Sequence, residues 1–405
     1  MKLDPLQTRI VIVGAGQAGA RAAEALRANG HRGPITLVGE EDHLPYERPQ
    51  LSKAILIDRD PNPTFIRGSE EWSDLDVTLL TSSRAVAIDG ERRVIGLANG
   101  RELTFERLLL ATGTRVRRLA ELDNGPLPVR YLRGMSDALA LRQKLQPKQK
   151  IVLVGGGVVG LEVASAAIAR GCQVTVLEKA DQLLPQIGSI ALGQYLRHFH
   201  RSMGVEIVCG ASIDMANADG LKLSDGRFVS ADLVLVGIGV EPVTNLARQL
   251  GLDIKHGIRV APTGATSIDG IYAAGDVAEQ WSRCHDRWMR VENWANAQNQ
   301  AIATAKTMAG GATAYDAPPW FWSDQYDTNI QVVGNPAGGE EIIRGDVPSG
   351  RFTTISIRDG EVVGGIAVNS ARDMAVLRRL VASRKTVCKS DMENPTFELK
   401  RSLAA

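Results

Sequence analysis

The sequence is poor in cysteine, in aromatic residues and in net charge. Its four cysteines, at positions 172, 209, 284 and 388, leave the first 171 residues without a thiol, and their spacing matches no zinc-ligand pattern. We therefore expect reduced, structural cysteines and no metal site. A formal net charge of +1 predicts no bulk attraction to nucleic acid or to a membrane surface. No apolar run approaches the roughly 20 residues of a membrane helix, and the N-terminal segment lacks the features of a signal peptide. We expect a cytoplasmic protein.

Glycine, by contrast, is abundant, with 41 residues, and two glycine-rich segments resemble each other. RIVIVGAGQAG begins at Arg9 and KIVLVGGGVVG begins at Lys150. In each, a β-branched run predicts a buried parallel strand, and an Ala-rich stretch ending at glycine predicts a helix. A second apolar strand follows, ITLVGE in one case and QVTVLE in the other. The pattern predicts two βαβ units with parallel sheets.

Both units carry the fingerprint of a dinucleotide-binding Rossmann fold. The first glycine permits a tight turn, the second lets a pyrophosphate approach the backbone, and the third lets the helix pack against the strand. An acid follows each fingerprint at about 20 residues, Glu40 in the first unit and Glu178 in the second. Such a carboxylate accepts hydrogen bonds from ribose hydroxyls and repels a 2′-phosphate, so the second site favours NADH over NADPH. Two dinucleotide sites in one chain predict two cofactors that exchange electrons, most simply a flavin and a nicotinamide.

The remaining segments predict strands with turns. Residues 75–115 have turns at Asp89-Gly90 and Asn99-Gly100, and residues 205–240 have one at Asp225-Gly226. After about residue 316 the pattern changes to an aromatic and polar stretch, an apparent antiparallel meander and a helix, which predicts a third, α+β domain. The expected division is an FAD-binding domain at 1–112 and 242–317, an NAD-binding domain at 113–241, and a C-terminal domain at 318–405.

Several motifs resemble those of the FAD-dependent ferredoxin–NAD(+) reductases that serve aromatic-ring-hydroxylating dioxygenases of the biphenyl and toluene type. They are PYERPQLSK from Pro45, LATG from Leu110, GVVGLE from Gly157, IYAAGD from Ile271 and, most specifically, PWFWSDQ from Pro319. Putidaredoxin reductase and rubredoxin reductase are more distant matches. The resemblance implies an α/β fold of the glutathione-reductase type, with two Rossmann-like domains and the C-terminal α+β domain. The chain departs from the pattern at Gln50, where proline is usual.

The resemblance also implies roles for individual residues. Lys53, Glu162 and Trp320 would be catalytic, with Lys53 beside the flavin ring and Trp320 on its nicotinamide side. Ala15 and Glu40 would contact the adenosine part of FAD, and Asp276 its ribityl or pyrophosphate region. The full set implied to bind FAD or NAD is Gly14, Ala15, Gly16, Gly19, Glu40, Arg48, Lys53, Val86, Ala111, Thr112, Gly113, Arg133, Gly275, Asp276, Glu292, Trp294, Trp320, Gly155, Gly157, Val159, Gly160, Glu162, Glu178 and Gly239.

Simpler interpretations remain open for the three catalytic candidates. A lysine near a flavin would stabilise negative charge on the reduced ring, and Glu162 is placed to be the partner charge that a buried lysine needs. Lys53 is otherwise a solvated turn lysine, and Glu162 an acid that complements the dipole of its helix. Trp320 and Trp322 are otherwise ordinary core or interface residues.

The predicted activity is electron transfer from NADH through FAD to a one-electron carrier, a [2Fe–2S] ferredoxin of the Rieske type. Related disulfide reductases use a cysteine pair after the first fingerprint, and the absence of cysteine there excludes that chemistry. One alternative is an enzyme reducing a small molecule such as a quinone or monodehydroascorbate. Another is a redox-sensing interaction protein of the apoptosis-inducing-factor kind. We expect a monomer or weak homodimer, with no nucleic-acid or membrane partner.

Overall fold

The computed structural model describes residues 4–403, which form two compact units. The first unit comprises residues 4–48, 63–115 and 241–319, and the second comprises residues 49–62, 116–240 and 320–403. The first unit holds most of the predicted FAD-binding segments, and the second holds the predicted NAD-binding and C-terminal segments. Residues 49–62 group with the second unit, although the prediction gave them to the FAD-binding domain. The three-domain division stays a prediction.

The first unit is built on a parallel sheet that begins with the first glycine fingerprint. Its spatial order is Ile271–Ala273, Arg107–Leu110, Ile10–Val13, Ile35–Val38 and Val77–Leu80. All four residues of Ile10–Val13 are buried, which explains the continuous β-branched run of this strand. Smaller sheets contain Ala85–Asp89, Val94–Leu97 and Glu102–Thr104, and Ile258–Val260, Ala278–Ser282 and Arg287–Arg290. The helices are Gln17–Ala28, Ser69–Asp74, Asn245–Gln249 and Trp294–Met308.

The second unit repeats this plan around the second fingerprint. Its parallel sheet has the order Glu206–Cys209, Gln173–Glu178, Lys150–Val154, Leu233–Val236 and Val129–Arg130. An antiparallel sheet contains Ile213–Asn217, Gly220–Leu223 and Phe228–Ser230, with the expected turn at Gly226, whose φ is +89°. The helices are Ala54–Ile57, Ala120–Asp123, Met135–Lys144, Val158–Ala169, Ile190–Ser202, Ala371–Ser383 and Lys389–Glu393.

The antiparallel sheet after residue 319 is not the simple meander that the sequence suggests. Its order is Trp320–Gln325, Thr328–Gly334, Glu361–Val368, Arg351–Arg358 and Glu340–Asp346. Burial explains the order: Glu361–Val368 is buried at all but its first residue and takes a central place, whereas the charged Glu340–Asp346 is an edge strand. The segment beginning at Trp320, described above only as aromatic and polar, is itself the opposite edge strand.

A few short elements complete the chain. Thr114–Val116 and Val240–Pro242 are strands at the points where the chain passes from one unit to the other. Turns of 3₁₀-helix occupy Arg48–Ser52, Pro185–Ile187, Pro336–Gly338 and Leu399–Leu403. Within residues 4–403, no helix is both long and apolar enough to cross a bilayer.

Candidate functional site

The predicted site residues divide between the two units. The first unit carries Gly14, Ala15, Gly16, Gly19, Glu40, Arg48, Val86, Ala111, Thr112, Gly113, Gly275, Asp276, Glu292 and Trp294. The second carries Lys53, Arg133, Gly155, Gly157, Val159, Gly160, Glu162, Glu178, Gly239 and Trp320. Each unit therefore contains one glycine fingerprint together with the acid that follows it.

In the first fingerprint, backbone atoms crowd the first and last glycines, whereas the space beside the middle glycine is open. Gly14 has a φ of +111°, and a Cβ atom there would lie 2.1 Å from the carbonyl oxygen of Ala111. A Cβ atom at Gly19 would lie 1.8 Å from the carbonyl oxygen of Gly14. At Gly16, by contrast, the nearest heavy atom would be 3.8 Å away, on the Arg48 side chain. The fold therefore requires the outer glycines, while the middle one leaves room for a ligand to approach the backbone.

The helix that follows offers unfilled donors at this opening. Gly16 caps the helix Gln17–Ala28 without a side-chain hydrogen bond, so its first turn presents N–H groups and the positive end of the helix dipole. Glu40 lies two residues after the strand Ile35–Val38, with its side chain 68% exposed and 3.5 Å from Arg84. An open glycine, free helix donors and an exposed acid fit the pyrophosphate and ribose of FAD.

Arg48 is held beside this fingerprint by acidic and phenolic partners. Its guanidinium donates to Glu41 at 2.5 Å, and Glu41 also accepts from the Tyr46 hydroxyl at 2.6 Å. Burial opposes the charge of Arg48, but Tyr46 and Glu41 outweigh it and raise the pKa of the guanidinium above its ordinary value. Arg48 therefore presents a permanent positive charge near Gly16, as an anionic ligand would require.

The second predicted FAD motif is fixed through its backbone. Gly275 has a φ of +79°, and its N–H donates to the buried Gln300 side chain at 2.8 Å. Arg290 donates to the carbonyl of Asp276 at 3.1 Å and pairs with Glu292 at 2.6 Å. These bonds hold the turn that carries Asp276, while the role of its carboxylate stays a proposal.

Two further predicted contacts are anchored within the first unit. The Trp294 ring nitrogen donates to Glu47 in the PYERPQLSK motif. Thr112 donates to the carbonyl of Val243 at 2.7 Å, and Gly113 follows it with a φ of +63°. The first bond holds the Trp294 side chain against the PYERPQLSK motif, and the second ties the LATG motif to the backbone at Val243.

Four predicted residues show no feature that points to a ligand. Val86 and Val159 are each 45% exposed. The backbone N–H of Arg133 donates to Asp137 at 2.9 Å, and Gly239 is notable for a φ of +104°. Their assignment to cofactor binding remains a prediction.

The second fingerprint repeats the geometry of the first. Gly155 has a φ of +110°, and a Cβ atom there would lie 2.4 Å from the carbonyl oxygen of Gly237. A Cβ atom at Gly160 would lie 2.4 Å from the carbonyl oxygen of Gly155, whereas Gly157 has nothing within 4 Å. Gly157 caps the helix Val158–Ala169 without a side-chain bond. This opening fits a second dinucleotide.

Glu178 is held at the end of its strand by two backbone donors. Its carboxylate accepts from the N–H of Gly156 at 2.7 Å and from that of Ala180 at 2.8 Å. These bonds fix a half-buried negative charge beside the glycine loop. Such a charge suits the two hydroxyls of an unphosphorylated adenosine ribose and opposes a 2′-phosphate, which fits NAD.

Lys53 and Glu162, predicted to be charge partners, are brought together within the second unit. Their side chains lie 3.1 Å apart, and Lys53 is also 3.5 Å from Asp324. Glu162 is 5% exposed and accepts from the hydroxyls of Ser52 at 2.5 Å and Ser323 at 2.7 Å. Burial raises the pKa of Glu162 above its ordinary value, and Lys53 and the two hydroxyls oppose that rise. The surface interpretations of Lys53 and Glu162 do not describe this arrangement, in which the buried Glu162 carboxylate has three partners, Lys53, Ser52 and Ser323.

Trp320 and Trp322 lie on the same face of their strand. Their rings stack with centroids 5.5 Å apart and planes at 27°. The Arg378 guanidinium lies 4.3 Å from the Trp320 ring centroid, and the Lys53 ammonium 5.8 Å from that of Trp322. The ring nitrogen of Trp320 is buried without a hydrogen-bond partner among the described residues, which leaves a donor for a ligand.

Sequence reasoning did not assign Ser52 and Ser323, the two hydroxyls on the buried carboxylate. Residues 321, 323 and 325 alternate with the tryptophans, so strand periodicity would have placed Ser323 on the face opposite Trp320 and Trp322. No sequence signal indicates that this face meets Glu162, 161 residues away. Among residues 4–403, no cluster of three or more His, Cys, Asp and Glu side chains is arranged to hold a metal ion.

Comparison with known proteins places this geometry in a family. Residues 8–301 match the family model described as pyridine nucleotide-disulphide oxidoreductase, and residues 320–403 match the one described as reductase C-terminal. The chain is 43% identical to the ferredoxin–NAD(+) reductase component of the p-cumate 2,3-dioxygenase system of Pseudomonas putida, over 97% of this chain and 98% of that protein. It is 38% identical to the corresponding component of the anthranilate 1,2-dioxygenase system of Burkholderia cepacia, over the full length of both.

A solved structure agrees over the same length. The crystal structure of the covalent putidaredoxin reductase–putidaredoxin complex matches with a TM-score of 0.93 and 32% identity, covering 98% of each chain. The likeness includes the sheet that carries PWFWSDQ, so it extends beyond the two dinucleotide folds. The chain belongs to the FAD- and NAD-dependent ferredoxin–NAD(+) reductases of the pyridine nucleotide-disulphide oxidoreductase family.

Proposed function

We propose that this chain is the NADH:ferredoxin oxidoreductase component of an aromatic-ring dioxygenase system or a similar oxygenase. The observation that carries the proposal is the full-length similarity to reductase components of such systems, C-terminal domain included. FAD, which the residues of the first fingerprint would hold, would supply the link between a two-electron hydride donor, NADH, and a one-electron carrier. The first 171 residues contain no cysteine, so no thiol relay operates there.

The chain's own residues would bind and orient the two cofactors and stabilise charge on them. The first fingerprint and Glu40 would hold FAD, and the second fingerprint and Glu178 would hold NADH. Lys53, paired with Glu162 at 3.1 Å, would stabilise negative charge on its ligand, and the unpartnered N–H of Trp320 would meet a polar ligand atom. Asp276 would contact the flexible middle of FAD from the turn that Arg290 secures.

The proposed electron acceptor is an acidic [2Fe–2S] ferredoxin of the Rieske type. Two arginines of the helix Ala371–Ser383, Arg372 and Arg379, are exposed, and no ion pair of theirs is found within residues 4–403. They are seven apart and so share nearly one face. In contrast, two arginines that follow the LATG motif are already paired with acids, Arg115 with Glu241 and Arg118 with Asp123, and so are less available to an acidic partner. We place the ferredoxin on the helix, with the chain acting in the cytoplasm as a monomer or weak homodimer.

The proposal is tested by NADH-dependent reduction of cytochrome c with and without an acidic [2Fe–2S] ferredoxin. The expected result is a rate that depends strongly on the ferredoxin and saturates with it. Rapid reduction of quinone or monodehydroascorbate with no ferredoxin dependence would instead support a small-molecule reductase. Negligible turnover with every acceptor, together with NADH-dependent protein binding, would support a redox-sensing interaction protein.

A further inference from the structure

The buried carboxylate of Glu162 stands at the end of a longer hydrogen-bonded chain within the second unit. Beyond Ser323, the side-chain nitrogen of Gln325 lies 3.0 Å from the Ser323 hydroxyl. The side-chain oxygen of Gln325 lies 2.8 Å from Nε2 of His200, and the Tyr326 hydroxyl lies 3.5 Å from Nδ1 of the same ring. Gln325 and His200 are both 0% exposed.

The donor and the acceptor of each hydrogen bond can be assigned in turn, starting from the Glu162 carboxylate. Ionised Glu162 can only accept, so the Ser323 hydroxyl donates its single proton to it. That hydroxyl oxygen then accepts from the Gln325 amide nitrogen, which turns the amide oxygen towards His200. An amide oxygen can only accept, so His200 carries its proton on Nε2 and offers Nδ1 to the Tyr326 hydroxyl. All the donors therefore point towards Glu162.

The protonation states agree with this direction. Burial lowers the pKa of His200, with the bond to Gln325 opposing it, so the ring is neutral near pH 7. Burial raises the pKa of the Tyr326 hydroxyl, which keeps its proton. Lys53 is the cation that faces Glu162, and Asp324 reaches the carboxylate only through Lys53. The negatively charged Glu162 carboxylate is thus the last acceptor in a chain of uncharged hydrogen-bond donors.

We propose that His200 and Gln325 are positioning residues that act through Ser323 on Glu162, fixing the orientation and ionisation of the carboxylate that pairs with Lys53. The inference rests on the proposed function, because only the reductase reaction gives that ion pair a task. Aligned hydrogen bonds polarise one another in a low-dielectric interior, so a donor two bonds away strengthens the bond at the carboxylate.

Packing alone does not explain these side chains. Their neighbours are aromatic: Phe199 lies edge-on to Tyr326 with ring centroids 5.3 Å apart, and it stacks on Tyr195 at 5.5 Å. A core of this kind is filled most simply by apolar residues, because a buried polar group left without its partner is destabilising. The cluster instead retains an imidazole and an amide in consecutive contact.

Four variants of the FAD-loaded protein test the relay: Ser323→Ala, Gln325→Met, His200→Leu and His200→Gln. The first two remove successive links at similar or smaller volume. His200→Leu removes the last donor, and His200→Gln returns an amide N–H near the position of Nε2. Tyr195→Phe is the matched control, because its hydroxyl contacts Thr328 at 3.3 Å in the same core but lies outside the chain of bonds.

The primary readout is the protonation of Glu162 itself. It is followed by the infrared carboxyl band that Glu162→Gln removes, titrated against pH without NADH. Ser323→Ala should raise the midpoint by about one pKa unit, because it removes one donor from the charged form. Gln325→Met and His200→Leu should raise it by about a tenth to a third as much. His200→Gln should restore it, and Tyr195→Phe should leave it unchanged.

Failure of the relay is separable from failure of the proposed function. Midpoints for folded Gln325→Met and His200→Leu that match the Tyr195→Phe control would overturn the inference, even if Ser323→Ala responds. If His200→Leu does not fold, Gln325→Met and His200→Gln decide the matter. Ferredoxin reduction by the unmodified enzyme is assayed in parallel, and its absence beside a responsive midpoint would overturn the function while leaving the hydrogen-bonded chain intact.

Discussion

Replacing Glu178 should weaken the preference for NADH over NADPH. The carboxylate is half-buried and is fixed by the N–H groups of Gly156 and Ala180, so it cannot swing away from a 2′-phosphate. Two unit charges about 4 Å apart repel by about 1 kcal/mol in bulk water and about 4 kcal/mol at an effective dielectric constant of 20. Because Glu178 is partly solvated, we expect about 1–2 kcal/mol, or about 5- to 30-fold in the ratio of kcat/KM values.

Glu178→Gln is the sharper variant, because its amide oxygen can still accept from one of the two backbone donors. Glu178→Ala leaves both donors to water and should also raise the KM for NADH. Glu206→Gln is a matched control: Glu206 is an exposed acid on the neighbouring strand, level with Thr175, about 10 Å before Glu178 along the sheet.

The assay compares kcat/KM for NADH and NADPH in each variant at constant ionic strength. The ratio should move towards NADPH in both Glu178 variants and stay constant in Glu206→Gln. The reasoning would be refuted if the unmodified enzyme used both nucleotides equally, or if Glu178→Gln retained the full preference while binding NADH normally.

The remaining predictions concern the flavin, the ion pair, the partner and pH. Purified protein should be yellow with about one FAD per chain, and folded, colourless protein that cannot be reconstituted would refute the first site. Lys53→Met should slow flavin reduction at saturating NADH about ten- to a hundredfold, because it removes a charge-assisted contact worth about 1.5–3 kcal/mol. Glu162→Gln should show a smaller defect. An unchanged stopped-flow rate in Lys53→Met would exclude this role for Lys53. Arg372→Glu with Arg379→Glu should lower the association rate with ferredoxin at low salt but leave flavin reduction by NADH unchanged, and normal ferredoxin kinetics would exclude that helix. Because the folded pKa of His200 is depressed, its contribution to stability is present above pH 6.5 and lost as pH falls through the folded pKa; denaturant titrations should show a shallower acid loss in His200→Gln, and parallel profiles would contradict the buried neutral ring.

Local sequence patterns predicted the parts of the fold that depend on near neighbours. The glycines, the β-branched strands and the turn at Gly226 are dictated by backbone geometry within a few residues. The strand order after residue 319 was missed because it depends on which strand can be buried on both faces. Charge and apolar content along Glu361–Val368 and Glu340–Asp346 contain that information, but only a comparison of all five strands reveals it.

Around Lys53 and Glu162, the sequence predicted the charged residues of the candidate site but not the neutral polar ones. The family resemblance singled out Lys53 and Glu162, and the need of a buried lysine for a partner charge linked the two residues. No such requirement points to a serine or a glutamine, because hydroxyls and amides are satisfied equally well by water. The contacts of Ser323 and Gln325 therefore emerged only when chain segments 161 and 125 residues apart were brought together.

The PYERPQLSK motif shows why residues that are adjacent in sequence can have separate tasks. Arg48 belongs to the first unit and pairs with Glu41, whereas Lys53 belongs to the second and pairs with Glu162. The chain passes from one unit to the other immediately after Arg48, in the turn Arg48–Ser52. That turn contains Gln50, whose carbonyl accepts from the N–H of Lys53 at 3.0 Å. A proline has the same carbonyl, so the bond that sets the backbone of Lys53 survives the departure from the family pattern. Glutamine also leaves the unfolded chain freer than proline would, a difference worth about 0.4–1 kcal/mol. The departure therefore bears on stability at this crossing and leaves the placement of Lys53 intact.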